Sequence, residues 1–227
     1  AVHGLENFVH WHTHNKQIPK ETSNQSDKKL LQPHAAVSPV GLTPKDIKTA
    51  YGIQGSADGS GQTLAVFQLD GYLASDIQAY EKAFDLPNVP LRNIYVDGVT
   101  GNAGADSLEV TLDIELMIAL APKAKEILVY EGVNSTQGVI NIYNKIAADN
   151  LAQSVSTSWG APENKTLTSF LNSENTIFKQ MAAQGQTIYA AAGDAGAYDN
   201  GSTLSVDDPA SQPYVIAVGG TTLSTDS

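Results

Sequence analysis

The stretch Leu108-Glu109-Val110-Thr111-Leu112-Asp113-Ile114-Glu115 lies inside a segment, Ser107 to Leu120, that we predict to be a helix ended by Pro122. Within a helix, Glu109 and Asp113 are four residues apart and project from the same face. They lie beside an apolar face that we predict from Leu112, Leu116, Ile118, Ala119 and Leu120. The helix therefore brings two carboxyl groups together as a candidate acid/base pair. A helix whose exposed face happens to be acidic would show the same spacing.

Strand and helix patterns alternate on either side of this helix. The predicted strands are Thr63 to Leu69, Asn93 to Val96, Glu126 to Tyr130, Ser154 to Ser158, Thr187 to Ala192 and Tyr214 to Val218. The other predicted helices start at Pro44 behind a Thr43 cap, and run over Ser75 to Phe84 behind a Ser75 cap, Thr136 to Asn150 and Thr166 to Gln184. This alternation predicts an α/β fold, a mostly parallel sheet with helices on both faces.

Three predicted strands end in residues that could line a site, because ligands bind at the carboxyl ends of parallel strands. They end in Gln68-Leu69-Asp70-Gly71, in Ser158-Trp159-Gly160 and in Gly193-Asp194-Ala195-Gly196. Asp194 could present its carboxyl group to the crevice or simply form a turn. The strand edge at Ser158, Trp159 and Gly160 could pair with an extended peptide, or Trp159 could be a core residue.

Charge and composition limit the function classes. A formal net charge of −11 disfavours nucleic acid and anionic membranes as partners. It suits a protein working in acid, where many of the 24 acidic groups would be neutral, or it serves ordinary solubility. The chain has no cysteine, and no stretch of about 18 apolar residues is present, so we expect neither disulfides nor a membrane span.

The histidines bear on the chemistry because all five lie in the first 34 residues. Residues 1 to about 40 look like a tail or linker, so no imidazole base is available in the domain that begins near Thr43, and carboxylates must replace it. The tract His10-Trp11-His12-Thr13-His14 has no nearby acid or cysteine, and we predict no functional metal site there.

Several motifs along the chain resemble, in kind and in order, those of the sedolisins, which are the serine-carboxyl peptidases. The kumamolisin-like enzymes are the most similar in appearance. The resemblance covers roughly residues 42 to 224. It rests on Ala50-Tyr51-Gly52-Ile53, the 108–115 stretch with Ala121-Pro122-Lys123-Ala124, Ser156-Thr157-Ser158-Trp159-Gly160, Ala192-Gly193-Asp194-Ala195-Gly196, Pro209-Ala210-Ser211-Gln212-Pro213-Tyr214 and Val218-Gly219-Gly220-Thr221.

The resemblance implies a subtilisin-like fold, incomplete in this chain, and an acid-active endopeptidase that works through an acyl-enzyme. Glu109 would be the general base that activates a serine, and Asp113 would orient Glu109 and share its proton. Asp194 would be a protonated carboxyl group that donates to the oxyanion, which accounts for activity in acid. Ser158 and Gly160 would hold the substrate backbone.

The chain departs from the family pattern in two ways. Gln68 stands where kumamolisin-like enzymes extend the proton network with a glutamate, so that extension is in doubt. The family's nucleophilic serine lies downstream of the Val218-Gly219-Gly220-Thr221 motif, in a segment these 227 residues do not contain. We therefore expect this chain alone to be inactive, with a C-terminal chain of the same precursor supplying the serine and the family's calcium ligands.

The stretch Val2-His3-Gly4-Leu5-Glu6-Asn7 resembles the end of the family's propeptide. We predict that residues 1–37 are a propeptide remnant and linker and that residues 38–227 are the N-terminal part of the peptidase domain. A secreted zymogen, or one in an acidic compartment, is expected.

Two alternatives stay open at this point. The first is a catalytically inactive sedolisin-like binding or scaffold protein, although an unfinished sheet edge would invite aggregation. The second is a retaining glycosidase, whose two carboxyl groups flank a sugar about 5 Å apart. Two acids on one helical face rarely flank a substrate from opposite sides, so the glycosidase ranks last.

Overall fold

A computed structural model describes residues 12–13, 42–53 and 57–220. The strands are β1 (His12–Thr13), β2 (Thr63–Gln68), β3 (Leu91–Tyr95), β4 (Glu126–Glu131), β5 (Ser154–Thr157), β6 (Trp159–Pro162), β7 (Thr187–Ala191), β8 (Asp207–Asp208) and β9 (Val215–Val218). The helices are α1 (Pro44–Ala50), α2 (Ala74–Ala83), α3 (Ser107–Leu120), α4 (Thr136–Asp149) and α5 (Thr168–Ala183).

Six strands form one parallel sheet in the order β3-β4-β2-β5-β7-β9. The helices pack in pairs, α2 with α3 and α4 with α5. In the core, Phe67 of β2 stacks on Tyr143 of α4 at 4.4 Å between ring centroids, and Tyr143 meets Phe178 of α5 edge-on at 4.9 Å. The predicted α/β fold with a mostly parallel sheet is confirmed.

Most element boundaries agree with the sequence prediction, and the exceptions have local causes. Thr43 caps α1 in a capping box with Asp46, as expected. Ser75 does not cap α2, because that helix starts one residue earlier, behind Leu73, without a side-chain cap. Strand β6 was not predicted, since Gly160 and Pro162 weaken a strand pattern. Strand β6 pairs with β1 and β8 in a second, antiparallel sheet.

Residues 1–37, the predicted propeptide remnant, lie outside the described residues except for β1, so the division at residue 37 stays a prediction. None of the helices that the structure describes is long and apolar enough to cross a membrane.

Two carboxyl groups meet inside the protein, Glu174 of α5 and Asp208 of β8, and both side chains are completely buried. Each influences the pKa of the other, and the Gln212 amide donates to Asp208 at 2.8 Å. No other donor among the described residues reaches Glu174. Burial is the main cause that raises the pKa of Glu174 well above its ordinary value, and the nearby Asp208 raises it further. Glu174 therefore keeps a proton in the folded protein at a pH where it would lose that proton in the unfolded chain.

Because the folded protein holds this proton more tightly than the unfolded chain, unfolding free energy should fall as pH rises above about 4.5. Replacing Glu174→Gln supplies an amide donor that needs no proton. The loss of unfolding free energy between acidic and neutral pH should therefore be smaller by roughly 1–3 kcal/mol. Urea unfolding at a series of pH values measures the slope. Glu126→Gln, which removes an exposed ion pair with Arg92, is the control and should leave the slope unchanged. An unchanged slope in Glu174→Gln would contradict the role of the pair.

Candidate active site

Helix α3 carries the two acids of the predicted pair. The completely buried side chains of Val110, Ile114 and Ile118 anchor it to the core. Leu116, expected on the buried face, is instead 37% exposed. Glu109 lies in the first turn and is only 5% exposed, and Asp113 follows one turn later, partly buried. The sheet therefore holds both carboxyl groups of α3 close to the protein interior.

Asp113 is held through both of its oxygens. The Ser158 hydroxyl donates to Oδ1 at 2.7 Å, and the Gln68 amide donates through Nε2 to Oδ2, also at 2.7 Å. Gln68 lies at the carboxyl end of β2, and Ser158 lies between β5 and β6. Neighbouring strands of the sheet thus converge on one carboxylate, as expected where parallel strands end.

A buried indole determines which way the Gln68 amide points. Trp159 is 1% exposed, and its Nε1–H donates to Oε1 of Gln68 at 2.8 Å. An indole N–H can only donate, so the amide oxygen must face it and the amide nitrogen must face Asp113. The chain Trp159 to Gln68 to Asp113 makes Oδ2 of Asp113 an obligatory acceptor, and any proton on Asp113 must sit on Oδ1.

Burial raises the pKa of Asp113 to about 6, against the two hydrogen bonds from Ser158 and Gln68, which lower it. Asp113 therefore changes its protonation state between neutral and mildly acidic solution. A group that titrates in this range beside a second carboxyl group is suited to acid/base chemistry below neutral pH.

Strand β6, which starts at Trp159, pairs with the tail strand β1. The antiparallel register matches His12 with Gly160 and Thr13 with Trp159. The Trp159 indole faces the interior, so only the backbone of this stretch is placed to meet a peptide. The predicted peptide-pairing edge is therefore occupied by the protein's own tail.

Asp194 lies in the exposed loop that follows β7. The preceding Gly193 has φ of 88°, which a residue with a side chain rarely adopts. Beside this loop a cavity of about 520 Å³ opens, lined among others by Ala192, Gly196, Asp207 and Ser211. Asp194 follows the carboxyl end of β7, at the same edge of the sheet as Gln68 and Ser158, and residues on both sides of it in the chain line this cavity.

The structure joins Asp113 directly to Ser158 and places Glu109 one helical turn away. Sequence reasoning missed two things: that the Ser158 side chain, and not only its backbone, contacts the acid pair, and that Gln68 binds Asp113 although it is an amide. The sequence signal for both contacts was that Gln68 and Ser158 each lie where a predicted strand ends.

No group of three or more metal-binding side chains occurs in the described part of the chain. The calcium ligands were predicted to lie on a separate C-terminal chain, so calcium binding stays a prediction.

Residues 99–227 match the sequence profile of the subtilase family. Kumamolisin from Bacillus sp. (strain MN-32) is 36% identical over 197 residues, which cover 83% of this chain and 36% of that relative. Sedolisin from Pseudomonas sp. (strain 101) is 30% identical over 244 residues, which cover 100% of this chain and 40% of the relative.

Among solved structures, Pseudomonas sedolisin, a serine-carboxyl proteinase complexed with pseudo-iodotyrostatin, matches with a TM-score of 0.76 at 29% identity. That match covers 82% of this chain and 55% of the sedolisin chain. With coverages of 36% and 40%, the chain spans well under half the full length of the two curated relatives, kumamolisin and sedolisin.

Replacing Gln68→Glu should raise the pKa of Asp113 above its present value of about 6, because a donor is lost and a like charge is gained. A rise of roughly one pH unit is expected, measured from the carboxyl carbon shift of labelled aspartate. Gln137→Glu, on the exposed side of α4, is the control and should leave this titration unchanged. A titration of Asp113 unaltered by Gln68→Glu would show that the amide does not govern this carboxyl group.

Proposed function

Since the chain belongs to the subtilase family and, within it, to the kumamolisin-like sedolisins, we propose that it forms part of an acid-active serine-carboxyl endopeptidase. The observation that carries the proposal is the acid pair on α3, with Asp113 fixed by Gln68 and Ser158. This is the arrangement expected where carboxyl groups replace the imidazole of a serine peptidase.

In the proposed reaction, the carboxylate of Glu109 takes the proton of a serine hydroxyl as the serine oxygen attacks the peptide carbonyl carbon. Asp113 orients Glu109 and shares its proton. The protonated carboxyl group of Asp194 donates a hydrogen bond to the carbonyl oxygen, which becomes negatively charged. Glu109 then gives its proton to the leaving amine, and an acyl-enzyme forms. Water, deprotonated by Glu109 in turn, attacks the acyl carbon. The bond to the serine oxygen then breaks, Glu109 returns the proton to that oxygen, and the acid product is released.

Asp194 and Asp113 explain why such an enzyme would work in acid. Only a protonated carboxyl group can donate to an oxyanion, and the proposed role of Asp194 requires that form. We infer that the protein acts after secretion or in an acidic compartment.

We further propose that the serine nucleophile comes from polypeptide outside these 227 residues, on a C-terminal chain of the same precursor, together with the expected calcium ligands. The length of the relatives supports this, because the chain matches 36% of kumamolisin. Ser158 is the rival within the chain, since its hydroxyl contacts the pair. It donates to Asp113 and is thereby committed to orienting that carboxyl group.

In the protein that carries this chain, Glu109→Gln and Asp194→Asn should each lower turnover of denatured protein substrates by roughly a hundredfold or more. An amide cannot accept the serine proton, and an amide at Asp194 donates less strongly than a carboxylic acid. Turnover is measured between pH 3 and 7, with circular dichroism to verify folding. Glu126→Gln, in an exposed ion pair, is the matched control and should stay fully active. Near-normal turnover in Glu109→Gln would contradict its assignment as the base.

The same samples locate the nucleophile when they are treated with an organophosphorus serine reagent and mapped by mass spectrometry. The expected label lies outside residues 1–227 and is lost in Glu109→Gln. A label on Ser158, together with full loss of turnover in Ser158→Ala, would overturn the proposed location. A protein without any peptidase activity would favour the inactive binding alternative.

The pairing of β1 with β6 supports a zymogen. We propose that the tail backbone near His12 and Thr13 occupies the edge that a substrate peptide would use, because both would add a strand beside Trp159 and Gly160. The tail would then compete with substrate until it is removed.

Removing residues 1–41 should therefore lower KM several-fold and leave kcat nearly unchanged, because a competitor is lost while the catalytic groups stay in place. Steady-state kinetics on a peptide substrate measure both constants. A synthetic peptide covering residues 8–17 should restore inhibition competitively, and a scrambled peptide is the control. Unchanged KM after removal of the tail would rule out this competition.

A further inference from the structure

The loop that leads into α3 is held by a carboxylate from a different part of the chain. Asp70, two residues beyond the end of β2, accepts hydrogen bonds from three backbone N–H groups. Oδ1 accepts from Gly71 at 2.7 Å and from Gly104 at 2.8 Å, and Oδ2 accepts from Asp106 at 2.8 Å. A carboxylate that receives several backbone donors is bound strongly and directionally.

Asp106 is the N-cap residue of α3, directly before Ser107, and its own side chain makes no capping bond. The first N–H groups of a helix have no partner inside the helix and need one from elsewhere. Asp70 supplies an acceptor for this N-cap residue from the segment just after β2, and a carboxylate suits the positive end of the helix. The place where α3 starts therefore depends on a side chain 36 residues earlier.

Close approach of the backbone makes this contact possible. A Cβ atom at Gly104 would lie 2.6 Å from Oδ1 of Asp70, and one at Gly71 would lie 2.5 Å from the carbonyl oxygen of Gly101. Both distances are shorter than real Cβ contacts. A larger residue at Gly71 would therefore meet the backbone of Gly101, and one at Gly104 would meet the Asp70 carboxylate itself. At the end of the neighbouring strand β4, the buried Glu131 also bonds to the backbone of Gly101.

The same strand end holds α3 at a second point, since Gln68 donates to Asp113 at 2.7 Å. Asp70 binds the helix at Asp106, and Gln68 binds it at Asp113. Glu109 lies between these two points, three residues after the first and four before the second. The two contacts determine where along its axis, and in which rotation, α3 lies against β2.

We propose that Asp70 is a positioning residue, which fixes the first turn of α3 and thereby places the Glu109 carboxyl group for proton transfer. The role rests on the proposed function, because it concerns the base of that reaction. Asp70 itself touches no reacting atom. A displacement of about 1 Å in a catalytic group can cost on the order of a hundredfold in rate, so a carboxylate outside the site can matter this much.

Two variants break the contact from opposite sides. Asp70→Asn keeps one acceptor oxygen but turns the other side of the group into a donor, which opposes the N–H of Asp106 or of Gly104. Gly104→Ala leaves the charge of Asp70 in place, but its new methyl group forces the Asp70 carboxylate and the Gly104 backbone apart. Both should lower kcat, per active site titrated with the serine reagent, by roughly ten- to a hundredfold, with KM changed less than threefold.

Amide hydrogen exchange tests the contact without relying on activity. Exchange of residues 104–110 should accelerate at least tenfold in both variants. Asp46→Asn, which removes the carboxylate of the α1 capping box, is the matched control. It should accelerate exchange only near residues 43–50 and leave kcat unchanged.

Unchanged exchange at residues 104–110 in the two variants would overturn the contact. Faster exchange with unchanged kcat per active site would overturn the positioning role. If the wild-type protein had no peptidase activity that depends on Glu109, the proposed function would fail and the positioning role with it, while the exchange result would still decide the contact.

Discussion

A buried amide must satisfy both of its ends, and Gln68 does so at the point where the elements of the site meet. It is completely buried at the end of β2, a strand with β4 on one side and β5 on the other. Its oxygen accepts from Trp159 and its nitrogen donates to Asp113. Leaving either end unpaired would cost about 1–3 kcal/mol, so this amide ties the start of β6 and helix α3 to the middle of the sheet.

Some of the acidic side chains of this chain are buried in its interior. Asp113, Glu131 and Glu174 each have a pKa raised chiefly by burial. Such groups are costly to bury when ionised and much less costly when neutral. Several such groups in one interior are therefore less costly to the folded state in acid than at neutral pH.

The sequence predicted those parts of the fold that depend on local pattern. Helix α3 was found with both boundaries correct, since Pro122 follows its apolar periodicity closely. The capping box of Thr43 and Asp46 was also readable, because its partners are three residues apart. Strand β6 was not, because it is short and contains Gly160 and Pro162. The bonds of Asp70 join residues 34 and 36 positions apart, which no local pattern encodes. The candidate pair was named from its spacing, but its hydrogen-bond partners required the packed sheet.

The strand pairing of β1 with β6 sets a threshold for whatever competes with it. A strand tethered to its own binding edge is present at an effective concentration on the order of millimolar, however dilute the protein is. Among the described residues of the tail, His12 and Thr13 make this pairing. A free peptide can therefore displace the tail only when it binds more tightly or is more abundant. If the tether were cut, the effective concentration of this strand would fall to the concentration of the free tail in solution.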